Sequence, residues 1–156
     1  MKDFHHSSTL SSCVSSRRRV NSGVRRLRVI IVSMKYTDII SQAHELARPI
    51  TTGEDCSAAT VGAVVISESG KTYTGVCLDF ECGIGFCAEH SAVAEMLKYH
   101  ESKIAVVVAV NDRGKVLPPC GRCREMMWQL DAANKDALIV LDVDLALPLR
   151  ELLPYR

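Results

Sequence analysis

The sequence predicts an α/β sandwich of three layers, a mixed sheet of about five strands with helices on both faces. Three observations carry that prediction. Helical stripes and β-rich runs alternate along the chain instead of segregating. Two runs, "IAVVVAV" at 104–110 and "ALIVL" at 137–141, are apolar without alternation, the mark of strands covered on both faces. Each is separated from the preceding strand by a segment with helical spacing, the pattern of crossovers between parallel strands.

The elements follow in order. From Tyr36 to Ala47 the apolar residues Ile39, Ile40, Ala43, Leu46 and Ala47 make a helical stripe that stops before Pro49. "TTGEDCS" (51–57) reads as a loop. "ATVGAVVIS" (59–67) and "TYTGVCL" (72–78) flank "ESGK", whose Ser-Gly pair suggests a hairpin. "DFECGIGF" is a glycine loop, and Ala88 to Tyr99 places Ala92, Val93, Met96 and Leu97 on one helical face. A third helix is expected from Gly121 to Leu130. A short "LALPL" segment and a last turn, "RELLP", close the chain.

At 156 residues, 47% hydrophobic and 24% charged, the chain has room for one domain with a substantial core. Its net charge of +1 hides an asymmetry. Residues 1–33 hold seven Lys/Arg (Lys2, Arg17, Arg18, Arg19, Arg25, Arg26, Arg28) against Asp3 alone, so the remainder carries −5. A mildly acidic body lacks the electrostatic footprint of a nucleic-acid binder and favours a small substrate. Seven cysteines are an odd number, and "VIIV" after Arg28 is too short for a secretory h-region. These features point to a reducing compartment with free or metal-bound thiols, and no run reaches membrane-spanning length.

Three readings compete for residues 1–33: a mitochondrial-type transit peptide, a functionless tail, or a start-site choice with Met34 as the working initiator. The lack of an amphipathic stripe before Val29 favours the last two, and with them a cytoplasmic location over a mitochondrial one. The folded domain is expected over 34–156.

The chemistry gathers at two helix starts. Cys87-Ala88-Glu89 opens the second predicted helix, and "PPCGRC", with Cys120 and Cys123, opens the third. A C-x-x-C turn offers two sulfurs to one ion, and a third from a neighbouring helix leaves a tetrahedral position open, as catalytic zinc requires. Helix N-termini favour the thiolate forms. Three thiolates around Zn²⁺ leave an excess negative charge, and Arg122 or Arg124 is expected to offset it by donating to a ligand sulfur. Glu89 is expected to face the open position as the proton carrier. Redox or structural-zinc readings remain, and Cys82 or His90 as a fourth ligand would close the site.

The pair "CAE" and "PCGRC" resembles the cytidine deaminase superfamily over residues 35–156. The all-cysteine form is similar to its small deaminases of free nucleosides and to blasticidin-S deaminase. "VGAVVISESGKTYTGV" and "LRELLP" resemble that branch too. The resemblance implies Cys87, Cys120 and Cys123 as ligands of one zinc and Glu89 as proton shuttle. The implied reaction is hydrolytic loss of ammonia from C4 of a cytosine ring, in cytidine, deoxycytidine or a cytosyl antibiotic such as blasticidin S. It further implies that backbone groups near Ala88 and the Pro119–Cys120 turn hold the ring, that the Ser57 hydroxyl meets the pyrimidine, and that the protein is a homotetramer.

Two departures stand out. Cys77 and Asp79 occupy the places of an N-x-E pair that grips ribose hydroxyls in cytidine deaminases, and a thiol cannot replace an amide's paired donor and acceptor. Ala59 stands near a position that usually holds a ring-packing Phe. Phe80 and Phe86 are expected either to line a base pocket or to pack in the core, and Trp128 to serve core or subunit interface. A non-catalytic zinc scaffold is the reading from another class, and an editor of single-stranded nucleic acid is disfavoured by the acidic body and by Cys87.

Overall fold

The computed structural model describes residues 36–155; the expectations for residues 1–33 lie outside them. The elements are α1 (Tyr36–Leu46), β1 (Ile50–Thr51), β2 (Cys56–Ser67), β3 (Thr72–Phe80), α2 (Ala88–Lys98), β4 (Ile104–Asn111), α3 (Gly121–Leu130), β5 (Leu138–Asp142) and β6 (Leu145–Pro148). Short 3₁₀ turns follow α3 at Ala132–Asp136 and β6 at Leu149–Leu152. The sheet has six strands, one more than expected, because "LALPL" pairs with β5 and Ile50–Thr51 pairs with the start of β2.

β2 is the organising strand. It pairs antiparallel with β3 on one side and with β4 on the other, and β4 pairs parallel with β5. β3, β4 and β5 therefore all run the same way. The helices that follow β3 and β4 then both begin at one edge of the sheet, which brings two distant segments of sequence together.

Side-chain alternation along the strands builds two cores. Ala63 and Val65 of β2, with Val107, Ala109 and Ile139, pack beneath Ala88, Ala92, Met96 of α2 and Cys123, Met127 of α3. Val64, Ile66, Val106, Val108 and Val140 face the opposite way, onto Ile39 and Ala43 of α1. That is the expected three-layer arrangement. β4 is buried without interruption from Ile104 to Val110, each residue below 5% exposure, which accounts for its unbroken apolar run. Each of its valine and isoleucine side chains contributes on the order of 1.5–3 kcal/mol by leaving water.

Two contacts fix the helices that carry the site. At Gly75 a Cβ would sit 2.3 Å from the Ala92 amide nitrogen and 2.6 Å from the Ala88 carbonyl oxygen, so α2 lies on β3 as closely as a bare backbone allows. The wholly buried Asn134 ties the end of α3 to the start of β4. Its Nδ2 donates to Met127 O and Ser102 O, both at 3.0 Å, and its Oδ1 accepts from Ile104 N at 2.8 Å.

Candidate metal centre and active site

Cys87 and Cys120 are the N-caps of α2 and α3, both in extended conformation, so their sulfurs project at the helix mouths instead of into either helix. Cys123 lies one turn into α3 and is fully buried. The ligand atoms of Cys87, Cys120 and Cys123 all lie within 4.8 Å of one another. Cys87 Sγ and Cys120 Sγ are 3.6 Å apart, and Cys120 Sγ and Cys123 Sγ 3.5 Å. Sulfurs bound tetrahedrally at about 2.3 Å from zinc stand roughly 3.8 Å apart, so the cluster has the dimensions of one face of a zinc tetrahedron.

The electrostatics also call for a cation. Burial pushes the Cys87 thiol above its ordinary range, and Cys120 adds to the shift. Cys123 is raised further by burial, by the Glu89 carboxylate and by the other two thiols. Burial raises Cys120 too, but hydrogen bonds from the Cys123 amide, the neighbouring thiols and the Arg122 amide outweigh it, and this thiol falls. One thiolate is thus stabilised by the helix start, while three together repel one another. A divalent ion reverses that balance, because a coordinating thiol is deprotonated outright.

Among the described residues the group of mutually close donors holds these three cysteines and no fourth ligand. Cys82 is exposed on the glycine loop and outside the group. His90 is also outside it, although its Nδ1 lies 3.4 Å from Cys123 Sγ. The expectation that Arg122 or Arg124 donates to a ligand sulfur has no counterpart among the hydrogen bonds of the described residues. Arg122 Nη1 donates to Gly85 O at 3.4 Å, and Arg124 Nη1 to Leu152 O at 2.8 Å. Arg122 lines the same cavity as Cys87 and Cys120, but neither of these arginine bonds goes to a sulfur. The facing helix supplies the polar neighbour instead. Burial, and secondarily Arg122, hold the His90 imidazole below its usual range.

Glu89, in the first turn of α2, is only 4% exposed. Burial raises its carboxyl above the ordinary range, opposed by its own backbone amide and by the Cys123 thiol. A carboxyl shifted this way exchanges a proton more readily near neutrality than a solvated one.

Glu89, Cys87, Cys120 and Ala88 line a cavity of about 400 Å³ together with Thr60, Val61, Cys77, Leu78, Asp79, Phe80, Gly85, Phe86, Pro118 and Arg122. Its far wall is β3 and the start of β2. The glycine loop folds back so that Leu78 and Phe86 exchange backbone hydrogen bonds of 3.0 and 2.9 Å. A Cβ on Gly85 would come within 2.1 Å of Leu78 O, so this reversal requires glycine. The loop delivers Phe86, 37% exposed, to the cavity mouth directly before Cys87.

The residues named from sequence divide accordingly. Cys77, Asp79 and Ala88 line the cavity, as do Phe80 and Phe86. Ser57 does not line it and lies within β2, not in a loop, paired with Asp79 across the ladder. Pro119 is buried behind Pro118, which does the lining. Trp128 is half-buried against the α2–α3 core. Thr60, which no sequence signal singled out, reaches the cavity because β2 is irregular between Ala58 and Gly62.

Comparison with known proteins agrees with this geometry. A model of the "Cytidine and deoxycytidylate deaminase zinc-binding region" matches residues 34–137. A cytidine deaminase of Mycobacterium tuberculosis is 31% identical over 74 residues, 47% of this chain and 56% of that protein. One from Halalkalibacterium halodurans is 30% identical over 75 residues, 47% of this chain and 57% of its own. The chain thus spans a little over half the length of these curated relatives. Among solved structures, M. tuberculosis cytidine deaminase superposes with a TM-score of 0.65 at 24% identity, covering 79% of this chain and 97% of that one. The enzyme from Burkholderia pseudomallei gives 0.62 at 21%, covering 78% and 98%. These likenesses establish the shared fold. The sulfur cluster lies inside the matched region, and the chain belongs to the cytidine and deoxycytidylate deaminase zinc-binding family.

Proposed function

We propose that this protein is a zinc-dependent hydrolytic deaminase that removes the C4 amino group from the cytosine ring of a free nucleoside, cytidine or deoxycytidine. The observation that carries the reading is a buried glutamate lining a nucleoside-sized cavity beside three clustered thiols, two of which, Cys87 and Cys120, line it as well. Cys87, Cys120 and Cys123 would hold the zinc. When bound, zinc supplies the Lewis acidity that brings a water's pKa down to roughly 7. Glu89 would take one proton from the attacking water and hand it to ring N3. It would then take the proton of the new C4 hydroxyl and hand it to the amino group, so that the C4–N bond breaks and ammonia leaves. Its raised affinity for a proton and its exclusion from solvent suit both halves of that transfer.

The ring is held between the helix mouths and the β3 wall. Backbone groups at Ala88 and at the Pro119–Cys120 turn flank the sulfurs, and Phe80 and Phe86 offer apolar surface. Ser57, one register position from the cavity wall, is a candidate contact for the pyrimidine. The reading also takes 34–156 as the working domain, a cytoplasmic location and a homotetramer, the last on the family resemblance alone. Among the described residues no helix is long and apolar enough to cross a membrane.

Blasticidin S is the second substrate to test, because Cys77 stands where an amide would grip ribose. Ultraviolet loss of the aminopyrimidine, followed side by side for cytidine, deoxycytidine and blasticidin S, decides between them. Turnover of the nucleosides supports the proposal, preference for the antibiotic moves it to the second substrate, and failure with all three rejects it.

A further inference from the structure

The wall opposite the metal centre carries an arrangement that the family resemblance does not explain. Between the pairs Ala58↔Leu78 and Gly62↔Val76, β2 spends three residues, Ala59, Thr60 and Val61, where β3 spends only Cys77. Ala59 accommodates the extra length at φ 58°, in the left-handed region that residues with a side chain rarely enter. Such a bulge re-aims side chains, and here Thr60 and Val61 both come to line the cavity.

The bulge is closed by side chains of β3. The Val61 amide donates to Cys77 Sγ at 3.2 Å, so the thiol takes the place of a strand partner. Thr60 Oγ1 lies 3.0 Å from the same sulfur and donates to Asp79 Oδ2 at 3.0 Å. Cys77 Sγ itself donates to Asp79 Oδ2 at 3.4 Å. One carboxylate oxygen therefore receives two donors, while no hydrogen bond reaches Oδ1 from the described residues. Asp79 is exposed toward the cavity and would swing freely without these contacts.

A carboxylate held by one oxygen presents the other as an oriented acceptor, suited to a hydroxyl hydrogen and unsuited to an anion. Resting on the nucleoside reading above, we propose that Thr60 is a positioning residue for substrate recognition. It acts through Asp79, fixing the carboxylate so that Oδ1 accepts a hydroxyl of the substrate's sugar. Cys77 is the third member of this wall, filling the bulge and lending its thiol hydrogen, so the thiol at this position is part of a different hydroxyl grip built from Thr60 and Asp79.

The test is a mutant cycle on the full-length zinc-loaded protein with cytidine. Thr60→Val keeps the shape and removes the hydroxyl; it should raise KM about tenfold and leave kcat within about twofold, the size expected for losing one charge-assisted hydrogen bond. In an Asp79→Asn background the same change should add little further, and Thr60→Ser should recover most of the wild-type KM. Should valine prevent folding, Thr60→Ala carries the same comparison. An unchanged KM in Thr60→Val, a fall confined to kcat, or full additivity with Asp79→Asn overturns the proposal while leaving the deaminase reading intact. Wild-type protein that fails to deaminate cytidine overturns that reading, and this proposal with it.

Discussion

At the scale of single residues, the centre is organised by which side chains can face one another across two helix starts. The three thiols meet because two are N-caps and the third follows one turn later. His90, one residue beyond Glu89 and on the helix facing Cys123, brings its Nδ1 to 3.4 Å from that sulfur. Only the tautomer with hydrogen on Nδ1 bonds a thiolate, so zinc binding should fix that tautomer. Removing a hydrogen-bond partner of a metal ligand typically weakens the metal by about 10- to 100-fold. His90→Ala should therefore lose zinc to a chelator at correspondingly lower concentration, read by competitive titration with a zinc-sensitive dye. An unchanged affinity would leave His90 as packing only.

At the scale of elements, the close approach of α2 to β3 sets the position of Cys87 and Glu89. Gly75→Ala would place a Cβ 2.3 Å from backbone that cannot move independently of α2. We expect it to lower stability by about 1–3 kcal/mol or more, seen as a reduced denaturant midpoint, and to lower zinc affinity as the helix mouth shifts. Retention of both would mean that α2 tolerates displacement.

Elements were legible where periodicity was strong. α3 begins at Gly121 and ends at Leu130 as expected, and the unbroken β-branched runs became β4 and β5. The start of β2 was not legible. "TTGEDCS" is polar and contains glycine, yet pairing with β1 and β3 draws Cys56 and Ser57 into the sheet. Thr60 was hidden for a related reason, since a bulge resets the alternation from which inward and outward positions are read.

At the scale of the whole molecule, the cysteine-bearing edge of the sheet is balanced by a polar cluster that ties the β2–β3 turn to the α2–β4 connection. Lys71 Nζ lies 2.9 Å from Glu101, and Ser69 Oγ donates to both Glu101 oxygens at 2.9 and 3.0 Å. The Ser67 hydroxyl first, then the Lys71 ammonium, lower the Glu101 carboxyl to about 2. A carboxyl depressed in the folded state stabilises above its unfolded pKa, near ~4.3, and that contribution fades as pH falls toward about 2. Glu101→Gln should therefore melt lower than wild type at pH 7, with the gap closing between about pH 4 and pH 2. A gap independent of pH would assign the loss to packing.

The central claim is that Glu89 carries the proton in a site whose metal is held by the three cysteines alone. It is tested most directly by measuring zinc content and cytidine turnover on the same preparations of wild type and Glu89→Gln. The account predicts about one zinc per chain in both proteins, with turnover lowered by roughly 10²- to 10⁴-fold in the mutant. Full activity in Glu89→Gln, or loss of zinc together with the carboxylate, would contradict it.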